Sequence, residues 1–231
     1  MKKALLVSVV IFISIITMAV VYELPELVFA HNGRIISVSG EHVVEGSSIC
    51  VVNLQIPTIR GLSNVAFESF VNSEIKSAIE SYRNEIEEMA DEAYEASKGQ
   101  EWPFRTFSVY VTYDAYLSDG ILSIDMIFSE YTGGAHPGAA RRTYNIDVNG
   151  NHMVSFKSLF PDEAFESRLN SLLAEEIGKR EDLWLDSFKG VEPDQGFYLK
   201  AGRLNVYFQP YDIGPWSSGM PEFVFNMDEL R

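Results

Sequence analysis

The stretch Phe107-Ser-Val-Tyr-Val-Thr-Tyr-Asp-Ala-Tyr-Leu-Ser-Asp-Gly-Ile-Leu-Ser-Ile-Asp-Met-Ile-Phe-Ser-Glu-Tyr131 decides the fold class. Phe107, Val109, Val111, Tyr113 and Ala115 alternate with Ser108, Tyr110, Thr112 and Asp114. Beyond the turn at Ser118-Asp-Gly120, Leu122, Ile124, Met126 and Phe128 alternate with Ser123, Asp125 and Ser129. A period of two sends each set of side chains to one face, so the stretch reads as a half-buried antiparallel hairpin. It runs directly into Tyr131-Thr-Gly-Gly-Ala-His-Pro-Gly138.

On its N-terminal side lies a helix. From Asn64 to Ser97, apolar side chains recur at Phe67, Val71, Ile75, Ala78/Ile79, Tyr82, Ile86, Met89/Ala90 and Ala93. Steps of three and four define one apolar stripe on a helix of roughly 34 residues, ~50 Å long. Asn64 suits the N-cap and Gly99 the C-terminal stop, while Glu74, Glu85, Glu88 and Glu92 mark the outward face. Residues 34–56 read as two or three strands, including Ile35–Val38 and Val51–Ile56, ended by Pro57.

On its C-terminal side, Arg141–Val148 reads as a strand turned at Asn149-Gly150-Asn151. Pro161-Asp162-Glu163 starts a second helix whose apolar face is Phe165, Leu169, Leu172, Leu173 and Ile177. An irregular segment from Leu183 to Asp194 precedes short strands at Gly196–Leu199, Leu204–Phe208 and Glu222–Phe225. The order β-α-β-β-β-α-β-β predicts an α+β fold: an antiparallel sheet with one long and one shorter helix packed on it.

At the N-terminus, Lys2-Lys3 precede an uncharged run from Ala4 to Val21. As a helix, these eighteen uncharged residues span ~27 Å, close to a hydrocarbon core. Pro25 then breaks the run, and Val28-Phe29-Ala30 has the small-residue look of a cleavage site. We therefore read 1–30 as a signal peptide or membrane anchor and 31–231 as an extracytoplasmic domain. Within it, an N-terminal module reaches 118 and a C-terminal module begins at 119. Either reading of the leader leaves the domain outside the membrane, because the lysines hold the short end in the cytoplasm.

Composition narrows the function. Thirty-three acidic residues against eighteen basic ones give a formal net charge of −15 in 231 residues. Nucleic acid and anionic membrane surfaces need clustered cations, so neither is expected as the main partner. Acidity favours a basic partner, or simply keeps an exported domain soluble. The one cysteine, Cys50, sits in an apolar strand pattern, which excludes an internal disulfide and reads as a buried inert thiol.

Nothing in the chain spells out a reaction. His31, His42, His136 and His152 show no metal-ligand spacing, and His136, Asp147 and His152 form at most a loose constellation across a hairpin. No Gly-x-Ser-x-Gly elbow, phosphate loop or dinucleotide fingerprint occurs. Glu87-Glu88 and Glu175-Glu176 fall on solvated helix faces, where carboxylates keep ordinary acidity. We expect no catalytic residue, metal or cofactor.

Two rigid bends remain. Thr132, Gly133, Gly134 and Gly138 frame His136, whose ring either pins the turn through a backbone carbonyl or offers a polar contact. Tyr211-Asp-Ile-Gly-Pro-Trp-Ser-Ser-Gly219 frames Trp216 between Pro215 and Gly219, with Tyr211 nearby. A tryptophan on such a loop either anchors an interface or folds back onto the core.

These bends, with Tyr144-Asn-Ile-Asp147, Gly150, Leu159-Phe160, Tyr207-Phe-Gln-Pro-Tyr211 and Pro221-Glu222, resemble the extracytoplasmic domain of the anti-sigma-V factor RsiV family. Gln55-Ile-Pro-Thr-Ile-Arg-Gly-Leu-Ser-Asn64 and Asn72 resemble the module preceding that domain, a module that also precedes the catalytic domain of some peptidoglycan deacetylases. The resemblance covers residues 34–230. It implies a receptor for C-type lysozyme, with His136, Tyr211, Pro215 and Trp216 at motif positions. Where the family commonly has Pro-Tyr, this chain has Pro215-Trp216. No stretch corresponds to the cytoplasmic sigma-binding domain, so sequestration of a sigma factor is not implied. The expectation is a non-enzymatic envelope module binding lysozyme or a related basic protein. The alternatives are a peptidoglycan-binding module stacking sugars on Trp216 and Tyr211 and, behind it, a cell-wall hydrolase working near His136.

Overall fold

The computed structural model describes residues 8–12, 17–101, 103–159 and 163–230. It opens with two antiparallel strands, β1 (Ser8–Phe12) and β2 (Thr17–His31). The apolar run read above as a helix of membrane length is thus extended wherever it is described. Its valines and isoleucines are β-branched, which favours pleated strand over helix. Among the described residues no helix is long and apolar enough to cross a membrane. A tight turn at Asn32 and Gly33 (φ 48° and 75°) joins β2 to β3 (Arg34–Gly46). The register slips between Leu24 and Leu27, a bulge that absorbs Pro25.

β4 (Cys50–Arg60) pairs antiparallel with β3 and runs straight through Pro57, which does not end it. The reason is an open edge. β4 meets the next strand, β5 (Phe107–Ser118), only from Cys50 to Leu54, so Pro57 is not asked for a hydrogen bond on that side. Two residues on, the same edge is closed by a side chain: the Asn72 amide accepts from Ile59 N–H (2.8 Å) and donates to Ile59 C=O (2.9 Å). Asn72→Ala leaves both backbone groups without that partner. We expect a stability loss of about 1–3 kcal/mol in urea unfolding; a loss within error of zero would show that water replaces the amide.

Asn72 belongs to α1 (Val65–Ser97), 33 residues long. Its caps are those expected: the Asn64 side chain accepts Phe67 N–H at 3.1 Å, and Gly99 follows with φ 85°. Val71, Ile75, Ile79, Ile86 and Ala90 are buried, whereas Met89 is 42% exposed and lies off the stripe. The helix carries the chain back to the end of the sheet where β4 began, so β4 and β5 pair in parallel, an exception to the expected antiparallel sheet.

The predicted hairpin follows: β5, a turn at Asp119 and Gly120 (φ 52° and 80°), and β6 (Ile121–Tyr131). After the first bend come β7 (Gly138–Asp147) and β8 (His152–Met153), only 2 residues long. Hydrogen-bonded neighbours in this sheet run in chain order from β1 to β8. α2 (Glu163–Gly178) succeeds it; the helix start expected at Pro161 lies outside the described residues. A second sheet contains β9 (Phe197–Lys200), β10 (Arg203–Tyr207) and β11 (Glu222–Asn226), in the order β11-β10-β9. A short α3 (Met227–Leu230) closes the described chain. The α+β class holds.

The chain divides into two compact units, 1–113 with 127–139, and 114–126 with 140–231. In the first, Tyr82 on α1 lies edge-on to Phe128, with ring centroids 5.3 Å apart, and donates to Glu130. In the second, Phe165, Leu169, Leu173 and Ile177 pack with Leu204, Val206, Phe223 and Phe225. At about 1.5–3 kcal/mol per buried large apolar side chain, this cluster is a core in its own right.

Candidate functional site

The second bend is held from several sides within its own unit. Phe208 N–H donates to Pro221 C=O (2.9 Å), closing the loop at its base. Trp184 N–H donates to Ile213 C=O (2.7 Å), and Ser218 Oγ donates to Asp182 C=O (2.8 Å). Pro215 starts a single 3₁₀ turn over Trp216–Ser218, ended by Gly219 at φ 66°. The result is a fixed platform. Trp216 is half-buried, neither sealed inside nor free of the surface, and Tyr211 is 56% exposed. Their ring centroids stand 6.2 Å apart, tilted by 36°. Tyr211 itself has φ 73°, a left-handed conformation that costs an ordinary side chain roughly 1–2 kcal/mol. Backbone strain held at an exposed aromatic is a pointer to use by a partner.

The first bend belongs to the other unit. The Arg105 guanidinium donates to Gly133 C=O (2.9 Å) and Gly134 C=O (3.3 Å), and Tyr131 Oη donates to Gly134 C=O (3.1 Å). His136 is exposed, with Nδ1 2.9 Å from Pro137 C=O, the geometry of a turn pin. A Cβ at Gly138 would fall 1.7 Å from the Glu130 carboxylate that receives Tyr82, so a larger residue would make Glu130 swing away. Thr132 lines a hollow of about 420 Å³ with Phe104, Arg105 and Phe107. Arg105 carries no periodicity or motif that could have singled it out.

Sequence reasoning also missed the strongest polar cluster. Asp125 was expected on the solvated face of β6, yet it is only 7% exposed, and Ser123 is fully buried. Arg141 on β7 forks onto Asp125 through Nε (2.7 Å) and Nη2 (2.5 Å), and its Nη1 donates to Glu222. The guanidinium carbon lies 4.8 Å from the Tyr198 ring centre and 4.7 Å from that of Tyr207. Burial works to lower the Arg141 pKa, but bonds and charge from Asp125 and Glu222 outweigh it and hold the group above its ordinary value. Tyr198, which donates to Glu222 (2.9 Å), is raised by burial first and by that bond second. Beside this cluster, Ser123 Oγ donates to Asn145 (2.6 Å) and Asn145 donates to Phe197 C=O (2.8 Å). Residues 122–126 of β6 are buried on both faces of the strand, correcting the half-buried reading.

Other candidate chemistry is bland. Asp147 and His152 are cross-strand partners with 3.9 Å between nearest polar atoms. Among the described residues no three of His, Cys, Asp or Glu converge to hold a metal ion. Burial, helped by Glu87 and Asp91 against Arg83, pushes the Cys50 thiol up to about 11, so at neutral pH it is not a thiolate nucleophile.

Residues 43–139 match the family model Deacetylase PdaC, and residues 157–228 match a family described as Protein of unknown function (DUF3298). The chain resembles two families in tandem. The first match ends at residue 139, where the first unit's last segment also ends. Among solved structures, a DUF3298 family member from Bacteroides fragilis NCTC 9343 aligns with TM-score 0.64 at 16% identity, covering 84% of this chain and 91% of that one. A DUF3298 family protein from Pseudomonas aeruginosa PAO1 aligns with TM-score 0.54 at 19% identity, covering 90% and 92%. At such identities the likeness shows a shared fold. No curated protein matches the chain. The deacetylase name belongs to the matched family, and no catalytic family is identified for this chain.

Proposed function

We propose that this chain is a non-enzymatic binding module of the bacterial cell envelope that recognises a basic, cell-wall-directed protein such as lysozyme. The observation that carries the reading is the Tyr211–Trp216 pair: two partly exposed rings on a loop tied to Asp182 and Trp184, with strain held at Tyr211. Rigid aromatics bury large area at little entropic cost, which is what an interface anchor requires. The net charge of −15 supports a basic partner, and the resemblance to the RsiV family supports lysozyme as its type. Contact is assigned to Tyr211, Pro215 and Trp216, with His136 a separate polar contact on the other unit.

Placement outside the cytoplasm follows from the leader reading. β2 extends through Ala30 and pairs with β3 up to His31↔Arg34. Cleavage after Ala30 would strip β1 and all of β2 except His31 from the sheet, which supports a retained N-terminus.

A second reading is favoured by the pairing of two partly exposed rings 6.2 Å apart: peptidoglycan sugars would stack on them. One titration separates the two. The full-length chain is mixed with a C-type lysozyme and, separately, with purified peptidoglycan, from about 50 to about 500 mM salt, across which screening tightens from above 10 Å to below 8 Å. Lysozyme binding that weakens with salt supports the protein reading. Affinity unchanged by salt defeats electrostatic steering, and capture by peptidoglycan alone favours the glycan.

A further inference from the structure

We propose that the outer edge of β7 at Thr143 is a docking site for an extended, basic peptide segment. The inference is independent of the Tyr211–Trp216 reading and rests on hydrogen bonds within the second unit.

One edge of β7 faces β6; the other is closed only in part. β8 covers it at Ile146↔Met153 and Asp147↔His152, and Val154 N–H adds a bond to Asn145 C=O (2.7 Å). At the other end, the Gln209 side chain stands in for a strand: its Oε1 accepts Arg141 N–H (2.9 Å) and its Nε2 donates to Arg141 C=O (2.6 Å). Arg141 and Asn145 thus point their backbone groups to this outer edge. In a strand the direction repeats every second residue, so Thr143, midway between them, points its N–H and C=O the same way. Among the described residues no strand lies opposite it. The Thr143 hydroxyl is engaged elsewhere, 3.2 Å from Tyr207 Oη, and leaves the backbone pair to the cleft.

An unpaired strand position is a template for another chain. One residue of an extended peptide can exchange both hydrogen bonds with Thr143, the mode of strand addition. The surroundings set the partner's chemistry. Thr143 opens into a cleft of about 560 Å³ whose rim carries Glu192, Asp194 and Asp212. All three are exposed. Against them stands Arg142, because Arg141 is balanced by Asp125 and Glu222. Excess negative charge beside an open backbone pair selects a lysine- or arginine-bearing strand over an acidic one.

The probe is a blocked hexapeptide of alternating lysine and valine, added to the full-length, isotopically labelled protein. We expect the Thr143 amide to shift and its hydrogen exchange to slow by about tenfold or more on saturation. The same peptide N-methylated at its central residues should bind at least about tenfold more weakly, since it cannot donate to Thr143 C=O. Glu192→Lys with Asp194→Lys, both exposed and so neutral to folding, should weaken the unmodified peptide by about tenfold. Equal binding by the N-methylated peptide, an unchanged Thr143 exchange rate, or no saturation by about 1 mM peptide each overturns the proposal.

Discussion

Arg141→Ala is expected to lower the unfolding free energy by about 3–5 kcal/mol, the range for breaking a buried ion pair from one side. The substitution strands Asp125, which is 7% exposed, and removes one partner of Glu222. It also empties the space between the Tyr198 and Tyr207 rings. Arg141→Lys keeps the charge but loses the fork onto Asp125, so it should fall between wild type and alanine. Arg141→Met with Asp125→Leu should recover much of the loss, because an apolar pair strands no charge there. Urea midpoints of the four proteins decide the matter. An alanine variant within about 1 kcal/mol of wild type would mean that water reaches Asp125 and that the cluster is solvated.

Trp216→Ala should weaken binding to a basic lysozyme by about 2–4 kcal/mol, roughly 30- to 1,000-fold, the scale of a central aromatic anchor. The loop's ties run through the backbone of Ile213 and Asp182 and the Ser218 hydroxyl, none of which the substitution touches. Its fold should therefore survive. Tyr211→Gly supplies a sharper signature. Glycine accepts φ 73° without a Cβ penalty, so stability should hold or rise by up to about 1 kcal/mol while binding falls. Opposite signs for stability and affinity would mark strain retained for recognition. If both variants bind lysozyme as wild type does, the aromatic pair is not the contact and the proposed function loses its support.

Much of the architecture was legible because its determinants are local. The stripe of α1, its Asn64 cap and Gly99 stop all lie within a few residues of the atoms they serve. The Asp119-Gly120 turn and the three closing strands were equally readable, since a period of two and a left-handed turn are properties of short windows. The parallel pairing of β4 with β5 was not, because strand direction depends on where a long helix delivers the chain. Pro57 misled for a related reason: a proline ends a strand only where its edge must be paired, and that depends on the neighbouring strand's length.

The candidate site divides in the same way. Sequence alone determined that Tyr211 and Trp216 ride a loop framed by Gly214, Pro215 and Gly219, because the backbone options of those residues are intrinsic to them. It also determined the net charge of −15 on which the proposed basic partner rests. Only the tertiary structure decided that Asp125 faces inward to Arg141 rather than out to water, and that Gln209 rather than a strand closes β7 at Arg141. Asp125 and Arg141 are 16 positions apart, Glu222 lies 81 beyond Arg141, and Gln209 is separated from Arg141 by 68. Hydrogen bonds and ion pairs act over a few ångströms of space, whatever the length of chain between their partners, so no local pattern could have announced them.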